Sequence, residues 1–78
     1  MHLVIDIGNT SAKIAVFSQG EMINVVRSSN QSLEGLDELC QQYPIKKGIW
    51  ASVISISKDI QQQLQQLPFP MMEFTYQT

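Results

Sequence analysis

Val4-Ile5-Asp6-Ile7-Gly8-Asn9-Thr10-Ser11-Ala12-Lys13 joins two apolar runs through a polar turn. The first run, His2 to Ile7, holds Leu3, Val4 and Ile5 on consecutive positions, then Ile7 beyond the acid Asp6. An apolar run rich in β-branched residues predicts a strand covered on both faces and central in a sheet. Gly8-Asn9 is a turn signal because both residues tolerate positive φ. Ala12 to Phe17 resumes as a strand, and so tight a turn makes the pair an antiparallel hairpin. Ser18-Gln19-Gly20-Glu21 is the next turn, and Met22 to Arg27 a third strand. The chain therefore opens as a three-stranded meander.

Ser28 to Ser32 is polar and reads as a loop. Leu33, Leu36, Leu39, Cys40 and Tyr43 then recur at helical spacing and make one apolar face. Ser32 is the expected N-cap, with Glu34 and Asp37 near the positive end of the helix dipole. Pro44 closes this segment by disfavouring helix at Tyr43. Gly48 to Val53 is another strand. Ser55 or Ser57 caps a second helix, with Ile60, Leu64 and Leu67 on one face and Gln61, Gln62, Gln63, Gln65 and Gln66 on a solvated one. Pro68 and Pro70 end it, and Met71 to Tyr76 reads as a fifth strand, with Met71 and Met72 on opposite faces. The order β-β-β-α-β-α-β predicts an α/β fold, a mixed sheet with helices on its faces. No helix follows the last strand, which is expected of a truncated architecture.

At 78 residues, 44% apolar and 15% charged, positions 1–78 are expected to make one small globular domain or a piece of a larger one. The net charge is −2 and no basic run exceeds Lys46-Lys47, which argues against a nucleic-acid partner. Cys40 is the single cysteine, so no intrachain disulfide forms, and a reducing cytoplasm is the expected compartment. Neither a signal peptide nor a membrane-spanning stretch is present in the sequence. His2 has no metal-ligand partner and reads as a surface residue. Cys40 reads as a buried, inert thiol, and Trp50 as a core residue.

The chemistry concentrates in the opening stretch. Asp6 falls at the carboxyl end of a central strand, where open α/β sheets bind ligands. A carboxylate there needs a cation or donors, and Mg²⁺ often binds through one carboxylate plus substrate phosphates. Gly8 lets backbone N–H groups approach a phosphate without a Cβ in the way. Asn9 and Thr10 add side-chain donors. Alternation puts Thr10, Ala12 and Ile14 on one side, and Ser11, Lys13 and Ala15 on the other, so that Lys13 reaches back toward the turn. The same residues also satisfy an ordinary structural hairpin with a solvated lysine.

Taken together, Ile5-Asp6-Ile7-Gly8-Asn9-Thr10 followed by Lys13 resembles the first phosphate motif of the actin-like ATPase and sugar-kinase superfamily. Within it, the stretch is similar to the N-terminal signature of type III pantothenate kinases. Ala51-Ser52-Val53-Ile54 sits where that family has a Ser-Ser-Val type segment. Here Ala51 replaces the first serine, and Ser55-Ile56 stands in place of the family's proline. The resemblance implies a ribonuclease-H-like half-domain, the first third of such an enzyme. It implies an ATP-phosphate site at Asp6, Ile7, Gly8, Asn9, Thr10, Ser11, Ala12 and Lys13, with Asp6 on Mg²⁺. It also implies a monovalent cation (K⁺ or NH₄⁺) bound outside this chain and a homodimer when full length. The implied reaction is transfer of phosphoryl from ATP to pantothenate, the first step of coenzyme A biosynthesis. The resemblance places the family's catalytic Gly-x-Asp later in such an enzyme than this chain extends, so no catalytic residue is assigned and the chain alone is expected to be inactive. Another small-molecule kinase, or a non-catalytic ATP-binding regulatory or interaction module, uses the same first motif.

Overall fold

Alternation along the first strand sets the layering. In the computed structural model, which describes residues 1–75, β1 (His2–Ile7) buries Leu3, Ile5 and Ile7 to 1% exposure or less, while His2 and Asp6 are exposed. The strand is thus covered on one face, not on both. β2 (Ala12–Ser18) and β3 (Glu21–Ser28) complete the meander. There follow α1 (Leu36–Gln42), β4 (Lys47–Ser52), α2 (Lys58–Gln65) and β5 (Met71–Glu73), in the expected order.

The strands form one sheet in the order β3-β2-β1-β4-β5. β1 pairs antiparallel with β2 and parallel with β4, β2 pairs antiparallel with β3, and β4 pairs parallel with β5. This is the mixed sheet of a ribonuclease-H-like half-domain. β3, β4 and β5 run the same way, so the connections through α1 and α2 step across the sheet in one direction. Right-handed connections then put both helices over the same face. Leu33, Leu36 and Leu39 from around α1, and Ile60 and Leu64 from α2, share one core with Leu3, Ile5, Ile7, Ala12, Ile14 and Val16. The opposite face carries the register row Val25, Ala15, Val4, Ile49 and Met72. Those neighbours half-cover Val4 and bury Ala15, which explains why the run Leu3-Val4-Ile5 looks buried on both sides.

The start of α1 and the end of the last strand differ from expectation. Ser32 does not cap α1. The N-cap is Gly35 at φ 88°, with no side-chain cap, so Glu34 precedes the helix while Asp37 and Glu38 occupy its first turn. Leu33 is buried from outside the helix because Gln63 holds its backbone. Leu33 N–H donates to Gln63 Oε1 at 3.0 Å, and Gln63 Nε2 donates to Leu33 C=O at 3.3 Å. Gln63 is therefore a structural residue of α2 rather than a solvated one. The last strand stops at Glu73, although Phe74 N–H still donates to Trp50 C=O at 2.7 Å. Tyr76, the expected end of that strand, lies outside the described residues. The cap of α2 is Ser57, whose Oγ accepts from Ile60 N–H at 3.2 Å. Met71 packs toward the core and Met72 is 66% exposed, on opposite faces as the alternation requires.

Candidate functional site: the loop at the carboxyl edge of the sheet

Because β1, β3 and β4 are parallel to one another, their carboxyl ends meet at one edge. Ser28, Ala12, Ile7 and Ser52 form a register row there on the helix side. One step back, Arg27, Lys13, Asp6 and Ala51 form the next row, on the open side. Asp6 and Lys13 are thus direct cross-strand partners and both are exposed. Arg27 brings a second exposed cation beside Lys13. No local sequence signal announces it, because its place depends on the β2–β3 register, which shifts at Val16/Phe17.

Residues 8–11 connect β1 to β2. Gly8 N–H donates to Ser11 C=O at 2.8 Å. Positive φ occurs at Gln19, Gly20 and Gly35, not at Gly8 or Asn9, so the expected left-handed turn is not what requires the glycine. Space favours it: a Cβ at Gly8 would lie 3.2 Å from the Ser11 carbonyl oxygen, a tight approach. The loop is closed from outside by Asn30, whose Nδ2 donates to Gly8 C=O at 3.2 Å and to Asn9 C=O at 2.8 Å. The carbonyls of Gly8, Asn9 and Ser11 are therefore all engaged. Among the described residues, no group accepts from the backbone N–H of Asn9, Thr10 or Ser11. A short run of unengaged N–H groups favours an anion, and Thr10 C=O is the one loop carbonyl that no group engages among the described residues.

The structure brings together Asp6, Gly8, Asn9, Thr10, Ser11 and Lys13. The side chains of Ile7 and Ala12 are fully buried in the core, leaving only their backbone at this edge. Ser52 Oγ is engaged by Ile54, donating to its C=O at 2.6 Å and accepting from its N–H at 3.1 Å, which turns the chain after β4. Val53 N–H donates to Ile7 C=O at 3.1 Å and ties that turn to the end of β1. Ser28 Oγ is buried at the same edge without a hydrogen-bond partner among the described residues.

Elsewhere the chain offers little chemistry. No group of three or more His, Cys, Asp or Glu able to hold a metal occurs among the described residues. Cys40 is half-buried, and burial together with the neighbouring Asp37 carboxylate pushes its thiol up, away from the reactive thiolate. Trp50 is half-buried against the core and lines a groove of about 620 Å³ with Ile56, Leu64, Phe69 and Met71. None of residues 6–13 borders that groove. Among the described residues, no helix is long and apolar enough to cross a membrane.

No protein-family model matches the chain. Curated relatives do. The chain is 51% identical over all 78 residues to a type III pantothenate kinase of Phocaeicola vulgatus, of which it spans 32%. It is 46% identical over 72 residues to a type III pantothenate kinase of Bacteroides fragilis, covering 92% of this chain and 30% of that protein. The chain thus spans about a third of the length of these relatives. Matched along its full length at this level of identity, it belongs with the type III pantothenate kinases in sequence.

Proposed function

We propose that this chain forms the phosphate-binding wall of an ATP-dependent pantothenate kinase, with residues 6–13 holding the phosphates of ATP. The observation that carries the reading is the loop at residues 8–11. The carbonyls of Gly8, Asn9 and Ser11 are engaged and, among the described residues, the N–H groups of Asn9, Thr10 and Ser11 have no acceptor, beside an exposed carboxylate and lysine. Asn9 and Thr10 add side-chain donors, and Lys13 adds charge. Mg²⁺ fits Asp6, since it is commonly held by one carboxylate together with substrate phosphates. When bound it neutralises charge on the transferring phosphoryl group. Phosphoryl transfer rests mostly on positioning and charge stabilisation, so a loop of fixed donors is a functional part without being a catalytic base. The names of the relatives support pantothenate as the acceptor, and the reading places the reaction at the entry to coenzyme A synthesis, in the cytoplasm. The catalytic acid, the monovalent-cation ligands and the dimer contacts belong to the portion of such an enzyme that this chain does not span. The chain alone binds weakly and turns nothing over.

Titration of Mg-ATP onto the ¹⁵N-labelled chain tests the reading. Amide signals of residues 8–13 are expected to move, with the movement much reduced in Asp6→Asn and the remaining spectrum unchanged. Signals that stay fixed at millimolar Mg-ATP would remove the phosphate role.

A further inference from the structure

The phosphate loop does not hold its own shape. Its only internal tie is the bond from Gly8 N–H to Ser11 C=O among the described residues. The carbonyls of Gly8 and Asn9 are both held by one external group, the Asn30 amide. The chain next to Asn30 is anchored in turn. Ser57 Oγ donates to Gln31 C=O at 2.8 Å while capping α2, and Gln31 N–H donates to Ser29 Oγ at 2.9 Å. A chain of contacts therefore runs from the α2 cap through Gln31 and Asn30 to the loop.

We propose that Asn30 is a positioning residue for the phosphate site. It takes up the carbonyl oxygens of Gly8 and Asn9, so that the N–H groups of Asn9, Thr10 and Ser11 meet an incoming phosphate without those two oxygens competing. This rests on the phosphate-binding reading of residues 6–13. The chemistry requires a side chain that donates twice and carries no charge. An amide does this, whereas an ionised carboxylate of the same size repels both carbonyls. A peptide carbonyl released toward the edge would face the anion with its negative end. The role is therefore felt in the affinity for phosphates more than in the fold.

Two measurements on the 78-residue chain test it. Without ligand, Asn30→Ala is expected to shift the amide signals and speed the hydrogen exchange of residues 9–11 while strand amides keep their protection. Unchanged loop signals would overturn the clamp. With Mg-tripolyphosphate as the probe, Asn30→Ala is expected to weaken binding about tenfold, the scale of losing two modest hydrogen bonds. Asn30→Asp should bind still more weakly at neutral pH. It should recover, relative to the unaltered chain at each pH, as the pH falls through about 4 and the carboxyl regains a donor. A purely structural loss would not recover in this way. If the unaltered chain binds tripolyphosphate and Asn30→Ala binds it equally well, the positioning role fails and the phosphate reading survives. If the unaltered chain binds none, both fall.

Discussion

Asp6, Gly8 and Lys13 were legible as residues because their chemistry is local: an acid at a strand end, a glycine in the turn and a lysine just beyond. Asn30 was not. Its two bonds reach the carbonyls of residues 8 and 9 from a stretch that reads only as a polar loop. Gly48 was hidden for a similar reason. It sits beside Leu3 in the parallel pairing, and a Cβ there would lie 2.9 Å from Leu3 C=O, 3.0 Å from Leu3 Cβ and 2.5 Å from Met71 Sδ. The methionine can swing aside, but the backbone carbonyl of the central strand cannot. Gly48→Ala is therefore expected to cost about 1–3 kcal/mol, the usual scale of overpacking, measured as a lowered urea midpoint at unchanged slope.

The two helices show where sequence patterns serve and where they mislead. In α2 the hydrophobic spacing and the cap agree. Ile60 and Leu64 are buried, and Ser57 does what a serine before a helix does. Ser57→Ala removes the cap and also the bond to Gln31 C=O, and is expected to destabilise the fold by about 1–2 kcal/mol in denaturant unfolding. In α1 the apolar period runs through Leu33, yet the helix begins only at Leu36. Leu33 is buried because a side chain from α2 satisfies its backbone, a contact that no local pattern announces. The strands were readable as elements. Which face of β1 is covered was not, because the direction of both crossovers decides it, and the open-face row of Val4, Ala15 and Ile49 mimics burial in the sequence.

For the molecule as a whole, the middle strand of the sheet is also the first element of the chain. This has a consequence for the order of folding. β1 finds β2 and β3 through short turns, so the meander closes at little cost in chain entropy. Its other edge waits for β4, which is delivered only after the loop and α1, pairing Ile5 with Trp50. Local pairing formed early and parallel pairing formed late divide the effects of mutation between the two rates. Ile14→Val, within the meander, is expected mainly to slow refolding. Leu64→Ala, in the late-docking α2, is expected mainly to speed unfolding, and stopped-flow chevrons of the two variants distinguish these outcomes. Until β4 arrives, the strand that carries Asp6 and leads into the loop at residues 8–11 exposes a free edge of unpaired N–H and C=O groups. On a nascent chain, the vulnerable interval thus falls between emergence of the meander and emergence of residues 47–52.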